Sequence, residues 1–141
     1  MIRSPKKTDI ESIIKIWLEA SIKAHDFMPS DYWESKVNDM RDVYLPSSAN
    51  YVYENSGEIY GFLSIYKCTL AALFVSPSRQ GEGIGSELIG FIKGKYRELT
   101  LSVYKNNTAS ISFYKKHGFV RYKEQIDEHT GHPEIIMKLK S

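Results

Sequence analysis

Three glycines stand at alternate positions in one short segment of the chain, at Gly81, Gly83 and Gly85. The apolar stretch Leu70–Val75 before them predicts a buried strand, and apolar residues recur at helical spacing after them. Backbone N–H groups at a helix start attract anions, and glycines let a ligand approach the backbone closely. The segment therefore predicts a strand, a tight turn and a helix, with a site for phosphate groups at the turn. The alternative is that the glycines only make the connection tight.

The spacing of the turn residues separates the known kinds of phosphate-binding loop. A Walker A loop requires a Lys-Ser/Thr pair after its last glycine, and a dinucleotide loop requires a glycine where Ser86 stands. The pattern Q/R-x-x-G-x-G/A is present instead, with Gln80, Gly83 and Gly85. That pattern resembles the acyl-CoA signature of the GCN5-related N-acetyltransferase (GNAT) superfamily. The resemblance implies that the whole turn binds a pyrophosphate: Gln80, Gly81, Glu82, Gly83, Ile84, Gly85 and Ser86. Glu82 departs from the family pattern, since many members carry Lys or Arg there.

A second block of residues follows the predicted helix and one further strand. It resembles the other GNAT signature, an Asn followed seven residues later by Tyr and then by x-x-x-G-F, here Asn107, Tyr114 and Gly118-Phe119. The resemblance implies that Asn107 hydrogen-bonds the pantetheine arm of the donor and that Tyr114 lies beside the thioester sulfur. A tyrosine there can act as a general acid toward the leaving thiolate. Without the first motif, Tyr114 would be interpreted as a core aromatic and Gly118 as a helix terminator.

The strand before the glycine turn has a further role by resemblance. In GNAT proteins it splays from the strand equivalent to Leu99–Tyr104, often at a bulge. Backbone groups around Leu73, Phe74 and Val75 would then bind the pantetheine amides as an added strand does. A backbone N–H near Leu73 would polarise the thioester carbonyl.

The hydrophobic periods along the chain predict elements in the order β-α-α-β-β-β-α-β-α-β-β. A capping box at Thr8–Glu11 predicts the start of a first helix that runs to about Ala24, and Pro46 is expected to end the second. The sequence has no repeat and no linker, so residues 1–141 are expected to form a single domain. The resemblance implies a GNAT fold of the α/β (α+β) class. Such a fold has a mixed, mostly antiparallel central sheet of about seven strands flanked by four helices.

Composition argues against several other classes of protein. The formal net charge is +2, which does not suggest a nucleic-acid-binding surface. Cys68 is the only cysteine, so no disulfide can form within the chain and no thiol cluster can hold zinc. The N-terminal residues lack a secretory signal, and no apolar run is long enough to span a bilayer. These features predict a cytoplasmic protein with no metal, nucleic-acid or membrane partner. The oligomeric state stays open, a homodimer included.

The acceptor side of the predicted site lacks an obvious general base. An amine of the lysine type is almost wholly protonated at neutral pH and must lose a proton before it attacks. Some GNAT members use a Glu on the splayed strand, but Leu70–Val75 contains no carboxylate. Tyr104 and His25 are weaker candidates, and His25 is more readily interpreted as an exposed residue at a helix end. Three aromatic residues fit either an acceptor groove or the packing of the second helix: Phe27, Tyr32 and Trp33.

Together the two motifs predict an N-acetyltransferase that moves the acetyl group of acetyl-CoA to a primary amine. The amine would attack the thioester directly in a ternary complex, so no covalent enzyme intermediate is expected. Two other interpretations stay open: a module that binds or senses acyl-CoA without turnover, and an enzyme that binds a nucleotide. The acceptor stays open between a protein lysine, a protein N-terminus and a small amine.

Overall fold

The computed structural model describes residues 1–140 and contains one sheet of seven strands. The strands are β1 (Ile2–Arg3), β2 (Ala49–Asn55), β3 (Glu58–Tyr66), β4 (Thr69–Val75), β5 (Glu98–Tyr104), β6 (Val120–Ile126) and β7 (Pro133–Lys140). Their order across the sheet is β1-β2-β3-β4-β5-β7-β6, and every neighbouring pair is antiparallel except β4 and β5. This arrangement confirms the predicted mixed, mostly antiparallel sheet.

Four helical segments flank the sheet within residues 1–140, as predicted. Three are single helices, and the other is built from short helices: α1 (Ile10–Ala24); α2 (Ser30–Ser35), α3 (Val37–Asp39) and α4 (Leu45–Ser47); α5 (Ile84–Lys93); α6 (Thr108–Lys116). A π-helical turn, Met40–Tyr44, joins α3 to α4. The second segment continues through Pro46 to Ser47, because Pro46 lies in the first turn of α4, where a missing N–H breaks no hydrogen bond. Among the described residues, no helix has the length and hydrophobicity to cross a bilayer.

The start of α1 differs from its prediction. Thr8 lies in a 3-10 turn, Lys7–Asp9, and does not cap α1. The carboxylate of Asp9 accepts the Lys6 N–H at 2.7 Å and the Arg3 guanidinium at 2.8 Å. The bond to Arg3 holds the pKa of Asp9 below its usual value. The predicted capping box is wrong because Thr8 lies inside the 3-10 turn, so that Asp9 stands at the N-cap of α1, and because the Glu11 carboxylate binds Arg41.

Consecutive residues of β3 divide the core between the two faces of the sheet. Phe62 contacts a cluster that includes Trp17 of α1, while Leu63 contacts a cluster that includes Leu88 of α5. Successive side chains of a strand point to opposite faces, so both faces of β3 are buried. Helices α1 and α5 therefore hold β3 and β4 from opposite sides, and they fix the turn between β4 and α5 in place.

Strands β4 and β5 diverge along their length. They are the only parallel neighbours in the described sheet, and one registered pair joins them, Thr69 opposite Thr100. Strand β4 also bulges, since consecutive residues of β3 pair with Leu70 and Ala72 and leave Ala71 between them. The predicted splay at a bulge is therefore confirmed. A gap opens between β4 and β5 near the centre of the sheet.

Candidate active site

The glycine turn connects the open end of β4 to α5. A 3-10 turn, Pro77–Arg79, follows β4, and α5 begins at Ile84. Gly81 and Gly83 have φ angles of +86° and +83°, in the left-handed region that other residues avoid. Nothing lies within 4 Å of the place where a Cβ would stand on either residue. The backbone conformation, and not crowding within the protein, therefore requires these two glycines.

Gly85 is required for a different reason. It lies in the first turn of α5, and a Cβ there would approach Cζ of Phe113 in α6 to 3.3 Å. The missing side chain lets α5 and α6 pack closely at this point. The third glycine of the motif therefore holds the two helices together beside the turn.

A groove of about 770 Å³ runs from the glycine turn to α6. Eleven of the predicted donor-binding residues line it: Leu73, Phe74, Val75, Gln80, Gly81, Gly83, Ile84, Gly85, Ser86, Asn107 and Tyr114. The exception is Glu82, whose side chain is 48% exposed and lies 3.9 Å from Arg79. The structure thus brings both sequence motifs to one groove, while the roles of the individual residues stay predictions.

Positive charge reaches this groove from three separate elements. Lys23 of α1, Arg79 of the turn and Lys116 of α6 all line it. Lys23 also donates from Nζ to Oε1 of Gln80 at 3.2 Å. These cations offset the carboxylate of Glu82, which was the unfavourable departure in the sequence. The sequence motifs missed Lys23 and Lys116, because only the fold brings their helices to the glycine turn.

The hydroxyl of Ser86 contacts the residue that follows the C-terminal end of α6. Oγ of Ser86 lies 3.1 Å from Nε2 of His117, and Lys93 donates from Nζ to the His117 carbonyl at 2.8 Å. Burial, together with the charges of Lys93 and Lys116, lowers the pKa of His117, so the ring is neutral near pH 7. His117 therefore supports Ser86 at the edge of the groove.

Asn107 joins the groove to the end of α1. Its Oδ1 accepts the Ser110 N–H at 3.2 Å and so caps α6. Its Nδ2 lies 3.4 Å from Nε2 of His25. The cap determines which end of the amide faces His25. A neutral His25 therefore accepts at Nε2 and carries its own proton on Nδ1.

Tyr114 stands where the groove meets a smaller cavity. Its ring packs edge-on against Phe113 and Phe119, with centroids 5.4 and 5.6 Å away. Burial raises the pKa of the Tyr114 phenol well above its usual value near 10, so the hydroxyl keeps its proton at neutral pH. A protonated phenol at this junction can donate to a thiolate that develops in the groove.

The smaller cavity, of about 280 Å³, fills the gap between β4 and β5. The residues that it shares with the groove are Leu73, Phe74, Asn107, Ser110 and Tyr114. A third space, the larger of the two cavities at about 670 Å³, lies on the α2 side. It shares four residues with the smaller cavity: Trp17, Trp33, Ala71 and Ala72. Three adjoining spaces therefore lead from the glycine turn, past Tyr114, to the far side of the sheet.

His25 is buried, so the expectation of an exposed helix end is wrong. Its side chain is 8% exposed, and its ring lies 5.8, 5.1 and 5.1 Å from the rings of Phe27, Trp33 and Tyr104. Burial lowers the pKa of His25 below its usual value, and the Ser21 carbonyl opposes this shift. The sequence pattern failed here because the aromatic contacts of the loop after α1, and not helical periodicity, place the ring.

Tyr104 is paired with a carboxylate that the sequence motifs missed. Its hydroxyl donates to Oδ2 of Asp127 at 2.7 Å, and the same carboxylate accepts the His129 N–H at 2.9 Å and the Thr130 hydroxyl at 3.2 Å. Burial and the bond to Asp127 raise the pKa of Tyr104, so its ionised form is hardly populated at neutral pH and cannot serve as the general base. A second carboxylate, Glu134 of β7, lines the smaller cavity. Within residues 1–140, no three His, Cys, Asp or Glu side chains are grouped to hold a metal ion.

The three aromatic residues near the acceptor side combine both interpretations offered by the sequence. Trp33 is buried in the core beneath α2 and also lines the smaller and the larger cavity. Tyr32 lines the larger cavity. Phe27 contacts His25 and also His132, at a centroid distance of 4.9 Å. The same aromatic side chains therefore pack the core and line the cavities.

Comparison with known proteins identifies the family. The profile of the family described as "Acetyltransferase (GNAT) domain" matches residues 46–121. The peptidyl-lysine N-acetyltransferase YiaC of Escherichia coli (strain K12) is 36% identical over 120 residues, which cover 84% of this chain and 82% of YiaC. The chain belongs to the GNAT family. As a GNAT protein it is an N-acetyltransferase with acetyl-CoA as donor, which confirms the family and the activity predicted from the two motifs.

Two further relatives resemble this GNAT protein over nearly its whole length. Peptidyl-lysine N-acetyltransferase YjaB of Escherichia coli (strain K12) is 29% identical over 140 residues, 98% of this chain and 94% of YjaB. The solution structure of apo YjaB matches with a TM-score of 0.86 at 26% identity, over 99% of this chain and 96% of that one. PaiA N-acetyltransferase from Thermoplasma acidophilum, in complex with coenzyme A, shares the fold with a TM-score of 0.80 at 21% identity, over 100% and 98%. The GNAT fold therefore includes helices α1 to α3, which the family profile leaves out.

Proposed function

We propose that this GNAT protein acetylates the side-chain amine of lysines in proteins or peptides. Two relatives support this acceptor, since YiaC and YjaB are both peptidyl-lysine N-acetyltransferases. The observation that carries the proposal is the junction at Tyr114, where the donor groove and the cavity between β4 and β5 meet. A lysine side chain is long and narrow enough to reach that junction while its backbone stays outside the sheet.

On the donor side, three kinds of group act on acetyl-CoA in this proposal. The N–H groups at the start of α5 bind the pyrophosphate, and the cations Lys23, Arg79 and Lys116 add attraction at longer range. Backbone groups of Leu73–Val75, on the edge of β4 that faces the gap, bind the pantetheine amides in the manner of an added strand. An N–H near Leu73 polarises the thioester carbonyl.

The transfer step itself needs one proton donor on the leaving side. The lysine ammonium first releases a proton to solvent. Its neutral nitrogen then attacks the thioester carbon, the C–N bond forms, and the C–S bond breaks. Tyr114 donates its proton to the departing sulfur and then recovers a proton released by the attacking nitrogen through solvent. The Tyr114 phenol is protonated at neutral pH, so its proton is available as a hydrogen bond or for transfer when the thiolate forms. The carboxylates of Asp127 and Glu134 make the acceptor side attractive to a cationic amine.

We also propose a cytoplasmic location for the protein. Cys68 is exposed and carries a free thiol. Free exposed thiols persist in reducing compartments, where glutathione and thioredoxin keep them reduced. Fractionation of the producing cells, followed by detection of the protein, would test this point.

A peptide screen with acetyl-CoA tests the acceptor. Peptides with one central lysine and a blocked N-terminus are offered, released thiol is followed, and the modified atom is located by mass spectrometry. We expect acetylation of the lysine ε-amine, and no product when norleucine replaces the lysine. Turnover of small amines alone, with every peptide and protein inert, would overturn the proposed acceptor while leaving the acetyltransferase activity intact.

Replacement of Tyr114 tests the proposed acid in the same assay. We expect Tyr114→Phe to lower kcat by about a hundredfold, since general acids contribute at least that factor. The ring is kept, so calorimetry should show acetyl-CoA bound about as tightly as by the wild type. A variant with unchanged kcat would show that the leaving sulfur takes its proton from another group.

A further inference from the structure

We infer that His25 positions Asn107 for donor binding, and that protonation of His25 releases Asn107. This inference rests on the proposed role of Asn107 in holding the donor. His25 thereby becomes a positioning residue of the acetyl-CoA site, although it lies on the acceptor side of the sheet.

The amide of Asn107 has only one arrangement that satisfies its neighbours. Its Oδ1 is used by the Ser110 N–H, which it caps at the start of α6. Both N–H groups of Nδ2 then remain available as donors. One points to Nε2 of His25 at 3.4 Å, and the other is left for the groove that Asn107 lines. His25 therefore prevents the amide from turning away from the donor.

The ring of His25 is itself held firmly. It is buried among Phe27, Trp33 and Tyr104. Within residues 1–140 its Nδ1 has no partner in hydrogen-bond geometry, and the nearby Ser21 carbonyl offsets only part of the effect of burial on the pKa of the ring. The ring belongs to the loop after α1, whereas Asn107 precedes α6, so the contact joins two elements on opposite sides of the gap. A neutral ring fits this setting, because a buried cation without an acceptor is costly.

Protonation would reverse the contact between the two side chains. A charged imidazole carries hydrogens on both nitrogens, so Nε2–H would face Nδ2–H of Asn107, donor against donor. The titratable and charged groups around the ring do not rescue the cation. Tyr104 faces it from β5 with its hydroxyl turned to Asp127, and Tyr114 and Glu134 line the same cavity from α6 and β7. None of them is hydrogen-bonded to His25 among the described residues.

Acetyl-CoA binding without an acceptor tests the coupling between His25 and Asn107. Calorimetry near neutral pH would compare the wild type, His25→Phe, Asn107→Ala and the double variant. We expect each single variant to bind about tenfold more weakly, since each leaves a polar partner unsatisfied. The double variant should lose about the same factor, because both changes break one contact. Losses that multiply, or a His25→Phe variant that binds as tightly as the wild type, would overturn the inference.

The pH dependence of the same binding gives a measurement that packing alone would not change. Burial lowers the pKa of His25, so the contact should hold at neutral pH and fail as the pH falls below the usual histidine value near 6.5. His25→Gln keeps an acceptor oxygen and cannot titrate. It should bind acetyl-CoA within about threefold of the wild type near neutral pH and lose less affinity on acidification. Titration of the donor's own phosphate affects all variants alike, so the difference between the two curves is the measure.

A matched histidine supplies the control for this experiment. His132 lies in the same aromatic cluster, 4.9 Å from Phe27, and has no hydrogen bond to Asn107. His132→Gln should lose acetyl-CoA affinity on acidification just as the wild type does. If the acetyl-CoA affinity of His25→Gln falls as steeply on acidification as that of the wild type, the inference is wrong. This test stands even where His25→Phe fails to fold. Because no acceptor is present, this result is independent of the proposed lysine acceptor.

Discussion

Tyr104 and Asp127 show how one residue pair can prepare the acceptor side. The hydroxyl of Tyr104 donates to Asp127, so its oxygen keeps a lone pair that can accept from an incoming ammonium group. Three donors hold the pKa of Asp127 below its usual value although burial opposes them, so the carboxylate is charged at neutral pH. A fixed negative charge behind Tyr104 favours a cationic acceptor such as lysine.

We expect Asp127→Asn to raise the KM for a lysine peptide by about tenfold, because a charge near the acceptor is lost without a change of shape. The kcat and the affinity for acetyl-CoA should change little. Steady-state kinetics with varied peptide concentration provide the test. Glu128→Gln, which removes the neighbouring exposed carboxylate of the same turn, is the matched control and should leave KM as it is. Equal KM values for both variants would argue against a role for Asp127.

At the scale of elements, the turn between β4 and α5 depends on backbone conformation. Gly83 immediately precedes α5 and has a φ of +83°, whereas Gly90 lies within α5 in ordinary helical conformation. Both positions face open space. Alanine substitutions at the two positions therefore distinguish the strain of a left-handed residue from the effect of an added methyl group.

We expect Gly83→Ala to destabilise the protein by about 1 kcal/mol, since a left-handed alanine is strained by that amount. It should also weaken acetyl-CoA binding several-fold, because relief of the strain moves the N–H groups of the turn. Gly90→Ala should instead stabilise the fold by roughly 0.5 kcal/mol and leave binding unchanged. Urea denaturation and calorimetry on both variants measure these effects. A Gly83→Ala variant that behaves like Gly90→Ala would show that the turn tolerates a side chain.

The sequence predicted those parts of the site that local backbone chemistry encodes. The glycine turn is formed by residues adjacent in the chain, so their spacing was enough. The burial of His25 and the approach of Asp127 to Tyr104 depend on contacts between distant segments. The same holds for Arg41, which binds the Glu11 carboxylate of the predicted capping box of α1. Periodicity and motifs carry no information on such contacts.

At the scale of the whole molecule, stability should depend on pH through two histidines, His25 and His117, and through carboxylates whose pKa is lowered. The pKa of His25 is lower in the folded than in the unfolded protein, so the unfolded chain binds more protons as the pH falls below about 6.5. The contribution of His25 is therefore fully present above that value and is lost as the pH falls through its folded pKa. Asp9 and Asp127, also lowered, should add a second loss in the range below their usual value of 3.8.

We expect the free energy of unfolding to decline in two stages on acidification. His25→Gln should reduce the first stage, to which His117 also contributes, and leave the second. Urea denaturation at a series of pH values measures both stages, with His132→Gln as the control that keeps them. A single decline confined to strongly acidic pH in the wild type would contradict the assignment to His25.

The divergence of β4 and β5 has a mechanical consequence for the whole enzyme. Within the described sheet, one registered pair, Thr69 opposite Thr100, joins strands β1 to β4 to strands β5 to β7. A donor bound along β4 would act as an eighth strand that stiffens the junction between the halves. Amide hydrogen exchange of β4 would then slow on donor binding, and a comparison of the free with the donor-bound enzyme would measure that stiffening.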